Sequence, residues 1–145
     1  MTNSRVQSSE LRAQDPATST LVEALSSGAS AKSYRNLKAW QRSIELSVSV
    51  YRLTGGFPRE EIYGLASQLR RCSVSVASNL AEGYGRASKG EFRQFVGMAR
   101  GSVLELQTQL IIAKALGYGK ESQLQKTEGL AEEVGKMTWA LMQKL

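Results

Sequence analysis

The chain has 145 residues, of which 41% are hydrophobic and 22% charged, and its formal net charge is +6. This length is enough for one domain with a buried core, and no apolar run is long enough to span a membrane. Histidine is absent and cysteine occurs once, at Cys72, so the sequence excludes an intrachain disulfide, a zinc site and a Ser-His or Cys-His catalytic pair.

Residues 1–33 are predicted to form a flexible N-terminal arm, because they are rich in Ser, Thr, Ala and Gln and contain only short apolar patches. A brief helix is predicted within the arm from Thr20 to Leu25, ended by Ser27 and Gly28. The first residues lack the apolar stretch of a secretory signal, and a single cysteine suits a reducing compartment. We therefore expect a cytoplasmic protein.

The folded domain is predicted over residues 34–145 and begins with an amphipathic helix. Asn36 is its predicted N-cap, and two glycines after Thr54 are expected to end it. Its apolar residues recur every three or four positions, which predicts one buried face: Leu37, Trp40, Ile44, Val48 and Tyr51.

The second helix is predicted to open at Pro58, because proline suits a first helical turn and the following Glu60 and Glu61 complement the positive end of the helix dipole. Gly83 is expected to stop it. The predicted buried line consists of Ile62, Leu65, Leu69, Cys72, Val76 and Leu80.

Two further helices follow. Ser88 and Glu91 have the spacing of a capping box at the start of the third helix, and Gly117 and Gly119 close it. Its predicted apolar line is Phe92, Phe95, Ala99, Val103, Leu106, Leu110 and Ala113. The predicted apolar line of the fourth helix is Leu124, Ala131, Val134, Met137 and Leu141, and Trp139 lies to the side of this line. Four long helices with short connections predict an all-α protein, an antiparallel up-down-up-down four-helix bundle.

Several stretches of this domain resemble a known bacterial family, the four-helix-bundle proteins encoded in intervening sequences of 23S rRNA genes. The matching stretches fall in family order over residues 34–119: Leu37–Gln41, Phe57–Leu65, Gln68–Arg71, Ser78–Gly83, Phe92 and Ala99–Leu106. Related bundles include the accessory proteins of diversity-generating retroelements. The first 33 residues have no counterpart in the family pattern.

The resemblance implies a ring-like homopentamer with a positively charged surface and a role in nucleic-acid binding. In the retroelement relatives the bundle works beside a reverse transcriptase and RNA. The resemblance therefore implies RNA or DNA, further copies of the chain and a reverse transcriptase as partners.

The charge pattern of the sequence also favours nucleic-acid binding, because residues 1–34 carry zero net charge and the remaining chain carries the whole positive excess. On a helical wheel of about 100° per residue, Lys89, Arg93 and Arg100 fall within about 40° of one another, beside the buried face. Arg86 in the preceding loop continues this stripe. Arg70 and Arg71 on the second helix are expected to lie on the same side.

These six residues are the predicted nucleic-acid-binding site, which would hold phosphates without reading sequence. The alternative is that they pair with acidic residues, namely Glu61, Glu82, Glu91 or Glu105. Asn79 and Glu82 are expected to have a structural role at a helix end, with Glu82 balanced by loop amides or a nearby arginine. Tyr84 and Tyr118 could stack on bases, although loop tyrosines more often cover helix ends.

Two functions remain open from the sequence. The first is a non-enzymatic oligomeric scaffold that binds nucleic acid, and the second is an interaction module that docks a partner protein without nucleic-acid contact. The sequence predicts no metal or cofactor site, since no Walker or Rossmann motif is present. An enzyme is disfavoured, because the sequence contains no catalytic constellation; a carboxylate pair of Glu82 and Glu105 is conceivable but not expected.

Overall fold

The structure, a computed structural model, describes Thr18, Thr20, residues 22–24 and residues 33–145. Over these residues the chain is all-α, as predicted, and contains no strand. The four long helices are α1 (Lys38–Thr54), α2 (Leu65–Tyr84), α3 (Lys89–Ala115) and α4 (Glu121–Lys144), with short 3-10 turns at Tyr34–Asn36 and Arg59–Glu61. No helix among the described residues is long and apolar enough to cross a membrane.

Each long helix packs against two others: α1 and α3 both contact α2 and α4. Side-chain pairs give the directions. Ser75 and Ser102 meet across α2 and α3 at 3.1 Å, while Gly83 of α2 abuts Phe95 of α3, so these two helices run in opposite directions. In the same way, Ser49 of α1 hydrogen-bonds Thr127 of α4 at 2.7 Å and Arg42 of α1 forms an ion pair with Glu133 of α4 at 3.1 Å, so α1 and α4 also run in opposite directions.

The helix ends were predicted with mixed success. Ser88 caps α3 as predicted, since its Oγ accepts from the Glu91 amide at 3.2 Å. Gly117 and Gly119 close α3 with φ of 72° and 78°, a backbone conformation that favours glycine. The Asn36 cap is wrong, because α1 begins two residues later and Leu37 stands at its N-cap. The predicted end of α1 at Thr54 is confirmed.

The predicted start of α2 is wrong by seven residues, because Pro58 leads into a 3-10 turn and the α-helix begins at Leu65. Glu61 provides the cap: its carboxylate accepts a hydrogen bond from the Leu65 amide at 2.8 Å. Gly64 leaves room for that carboxylate, since a Cβ there would lie 2.6 Å from Glu61 Oε2. The helix also continues through Gly83, which is buried, and ends at Tyr84.

The core lies where the four helices face one another. The predicted buried lines of α2, α3 and α4 are largely confirmed, with Val96 the main omission. Ile62 is the exception, because it precedes α2 and is 50% exposed. The predicted line of α1 is displaced: Trp40 is buried, but Ile44 and Val48 are only half-buried and Tyr51 is exposed. The residues of α1 that fill the core are Ala39, Ser43, Leu46, Ser49, Val50 and Leu53.

Part of the N-terminal segment is described. Thr20 and residues 22–24 are helical, which agrees with the brief helix predicted there. Thr18 and Val22 are buried, and their spacing of four residues places them on one face of a helix. The remaining prediction for the arm, including its end at Ser27 and Gly28, lies outside the described residues.

Candidate nucleic-acid interface

Three of the six predicted cations lie on one flank of α3, and two of them, Arg93 and Arg100, contact α4. The Nε of Arg93 donates a hydrogen bond to the Met142 carbonyl at 3.3 Å. The guanidinium carbon of Arg100 lies 4.7 Å from the centroid of the Trp139 ring. Lys89 is exposed at the first residue of α3. The structure therefore brings Lys89, Arg93 and Arg100 together as one stripe, called here the α3 stripe.

Arg70 lies on a different side of the protein. Its Nε donates to Thr54 Oγ1 of α1 at 2.8 Å, and its guanidinium carbon lies 4.8 Å from the Tyr51 ring centroid. Arg71 is exposed, about 100° further around α2. For Arg70 the expectation of a shared side with the α3 stripe is wrong, because Arg70 faces α1 whereas Arg93 and Arg100 face α4. For Arg71 the expectation stays a prediction.

Arg86 occupies the loop between α2 and α3. It forms an ion pair with Glu82 at 3.1 Å, and its guanidinium carbon lies 4.9 Å from the Phe95 ring centroid. This is the predicted balance for a glutamate near a helix C-terminus, supplied by a nearby arginine. Asn79 also has a structural role here, since its amide donates to the Ser75 carbonyl at 2.8 Å.

The α3 stripe is not neutralised by carboxylates. Within the described part of the chain, five of the six candidate cations have no acidic partner within 4.0 Å, and Arg86 is the exception. Other surface cations are paired, among them Lys114 with Glu128 at 3.6 Å. The pairing alternative therefore holds for Arg86 alone among the six, and the α3 stripe retains its positive charge for an external anion.

The two loop tyrosines are occupied by internal packing. Tyr84 meets Phe92 edge-on at 5.7 Å, and Tyr118 packs against Phe57 at 5.4 Å while donating to Glu61 at 3.4 Å. Both therefore cover helix ends, which is the more frequent role of loop tyrosines, and do not present free rings for stacking on bases.

Trp139 is the aromatic residue that sequence reasoning left out of the site. Its side chain is 49% exposed, whereas that of Trp40 is 8% exposed and packs on Tyr34. Beside Trp139 lies a groove of ≈ 320 Å³ between α3 and α4, called here the α3/α4 groove. The sequence did contain a signal that Trp139 is exposed, since on a helical wheel it stands to the side of the apolar line of α4.

The geometry gives no support to a carboxylate pair. Glu82 lies near the end of α2, whereas Glu105 lies near Cys72, which precedes Glu82 by about 15 Å along the helix axis. The described residues contain no cluster of three or more potential metal ligands. Burial, followed by the charge of Glu105, raises the pKa of the Cys72 thiol from 9.0 to about 12, and the thiol donates to the Ser102 carbonyl at 2.9 Å.

Comparisons with known proteins identify the family. The family model for the 23S rRNA-intervening sequence protein matches residues 35–140. A crystal structure of a protein with unknown function, from the S23 ribosomal protein family of Bacteroides thetaiotaomicron, superposes with a TM-score of 0.66 at 17% identity. The match covers 72% of this chain and 97% of the other, and at this identity it shows the fold alone. A search of curated proteins finds no match. Because the family model covers most of the chain, this protein belongs to the 23S rRNA-intervening sequence protein family.

Proposed function

We propose that this protein is a non-enzymatic nucleic-acid-binding accessory protein that holds RNA or DNA, without sequence specificity, through exposed basic residues. The observation that carries the proposal is the α3 stripe, whose three cations have no acidic partner among the described residues. The family description, which refers to 23S rRNA, supports a function connected with RNA. A cytoplasmic setting suits such a partner and the lone cysteine.

The stripe fits a polyanion by its length and its chemistry. From Lys89 to Arg100 it runs eleven residues, or about 16 Å along the helix axis. Guanidinium groups bind phosphate oxygens through two donors at once, and this contact carries no sequence information. Lys89 and Arg93 also lie in the first turns of α3, where the helix dipole adds positive potential.

We propose further that the four helices form an antiparallel up-down-up-down bundle that assembles as a homopentameric ring. The alternating directions of neighbouring helices support the bundle. Large apolar side chains on the outer faces support association, because Leu104 and Ile111 of α3 are 51% and 69% exposed. The outer face of α1 adds a groove of ≈ 600 Å³ lined by Ile44, Val48 and Tyr51. A ring would repeat the stripe and raise affinity by avidity.

The test is binding of fluorescein-labelled RNA and DNA, measured by anisotropy over a range of salt concentrations. A variant with Lys89→Gln, Arg93→Gln and Arg100→Gln should bind more weakly, and the slope of log K against log salt should fall by about 0.7–0.9 for each lost phosphate contact. The control removes equal charge from the other end of the helices, through Arg59→Gln, Lys114→Gln and Lys120→Gln. Equal losses in both variants would refute the assignment to the stripe, and no binding at low salt would refute nucleic-acid binding.

The exposed apolar faces favour a second candidate, a scaffold that docks a partner protein without touching nucleic acid. The resemblance to retroelement accessory proteins makes a reverse transcriptase the partner to test. A pull-down whose recovered partner survives nuclease treatment and high salt, while Ile111→Asp abolishes its recovery, would support this candidate. A partner released by nuclease would support nucleic-acid binding instead.

A further inference from the structure

The α3/α4 groove has the parts of a base-binding site. Trp139 forms one wall, the guanidinium of Arg100 lies over the indole ring, and Gln107 and Lys136 line the same space. Gly135 precedes Trp139 by four residues on the same face of α4, so this one position next to the indole carries no side chain. Nothing among the described residues covers this groove, and Trp139 remains half exposed.

The Arg100–Trp139 pair distinguishes this groove from the rest of the basic surface. At 4.7 Å from the indole centroid, the guanidinium is within range of a cation–π contact. The guanidinium of Arg100 has no hydrogen bond or ion pair with any described residue, so its N–H donors are available to a ligand. Indole rings and guanidinium planes are the surfaces on which proteins stack unpaired bases.

The charges around the groove are arranged for the strand that carries such a base. Arg93 and Lys89 continue from Arg100 along α3, where they would meet neighbouring phosphates. Glu132 also lines the groove, but its carboxylate is 3.3 Å from the ammonium group of Lys136, so its charge is locally offset.

We propose that the α3/α4 groove binds an unpaired nucleobase of single-stranded RNA or DNA by stacking on Trp139 and Arg100, while the α3 stripe binds the flanking phosphates. This inference rests on the proposed function and adds a strand preference to it. A duplex keeps its bases stacked on one another and presents only its backbone to the stripe. The groove therefore favours single strands and loops over duplexes of equal length.

The first experiment uses the intrinsic fluorescence of Trp139. In a Trp40→Phe variant, Trp139 is the only tryptophan. Titration with a 12-nucleotide oligo(U) or oligo(dT) should quench its emission in a saturable way, in step with the anisotropy of a labelled strand. A 12-base-pair duplex should bind with little quenching. Full binding of the single strand without any change in emission would overturn the inference and leave the proposed function intact.

The second experiment measures affinity in the full chain. Trp139→Ala should weaken single-strand binding roughly 5- to 100-fold, the range expected for one stacked base, with duplex binding unchanged, and Trp139→Phe should retain most of the affinity. Tyr63→Ala is the matched control, because Tyr63 is an aromatic residue that is 95% exposed in the loop before α2. Equal losses for Trp139→Ala and Tyr63→Ala, or a change in oligomeric mass with unchanged affinity, would overturn the inference. No binding of any strand at low salt would overturn the proposed function with it.

Discussion

Gly83 sets how closely α2 and α3 approach, and its replacement gives a sharp test of the packing. It is buried within α2, and an added Cβ would collide with the Cβ of Phe95 and lie 3.2 Å from Phe92 Cδ1. The Phe95 Cβ is fixed to its backbone, so the overlap is relieved only if the helices separate. Overpacking of this kind costs about 1–3 kcal/mol.

The same substitution has an opposing gain, because alanine is favoured over glycine inside a helix by about 1 kcal/mol. The net expectation for Gly83→Ala is a loss of up to about 2 kcal/mol in the free energy of unfolding. Gly101 and Gly129 provide the controls: both are helical and exposed, and an added Cβ would meet nothing within 4 Å. Alanine at either position should stabilise the protein by about 1 kcal/mol.

The measurement is urea unfolding followed by far-ultraviolet circular dichroism. All variants must be compared at one protein concentration, because the proposed association would make apparent stability depend on concentration. If Gly83→Ala raises the unfolding midpoint as much as Gly129→Ala does, α2 and α3 do not pack as closely at this point as described, and the reasoning is refuted.

Three further predictions concern a thiol, a helix cap and an ion pair. Cys72 should react slowly with thiol reagents at pH 9–10, where a free thiol is largely ionised, because its pKa is raised to about 12, and rapid labelling in the native state would contradict its burial. The contribution of this thiol to stability is complete below pH 9 and is lost as the pH rises toward 12. Glu61→Ala should destabilise the protein by about 1 kcal/mol through loss of the α2 cap, whereas Glu60→Ala, at an exposed neighbour without that contact, should be near neutral in the same urea assay. Glu82→Gln should release Arg86 and strengthen nucleic-acid binding in low salt with little change in stability, because the pair is exposed; an unchanged affinity would exclude Arg86 from the interface.

The limits of sequence reasoning are clearest in α1. Its predicted stripe and its actual core line both follow helical spacing, because Leu46, Val50 and Leu53 alternate with Ile44 and Val48 around the helix. Periodicity alone cannot choose between two apolar faces. The choice requires the neighbours, and α2 and α4 pack on the side that carries the smaller residues, which allows a close approach.

Helix starts and stops were predictable where a local side chain decides them. Ser88 caps α3 by contact with an amide three residues away, a pattern visible in the sequence. The start of α2 was missed, because Glu61 acts from inside a 3-10 turn rather than from the usual cap position. Gly83 was read as a stop, although its missing side chain serves packing against Phe95 rather than a turn.

For the candidate site, the wheel grouped Lys89, Arg93 and Arg100 on one flank of α3 but could not say which neighbouring helix that flank faces. That depends on the order in which the helices surround the core, and this order separates Arg70 from the α3 stripe. The grouping of Lys89, Arg93 and Arg100 was predictable because all three lie on one helix. Trp139 joins them only through the pairing of α3 with α4.

Two arginine–aromatic pairs of the same kind show why the surface of α3 and α4 suits a ligand better than the surface of α1 and α2. Arg70 lies 4.8 Å from Tyr51 and Arg100 lies 4.7 Å from Trp139, so the ring contacts are equivalent. The Nε of Arg70, however, donates to Thr54 Oγ1, and this hydroxyl donates to the Val50 carbonyl, so the hydrogen bonds link α2 to α1. The guanidinium of Arg100 has no such bond to a described residue and opens onto a groove. The same residue types therefore support the fold on one flank and leave donors for a ligand on the other, and for this reason we propose the nucleic-acid interface on the side of α3 and α4.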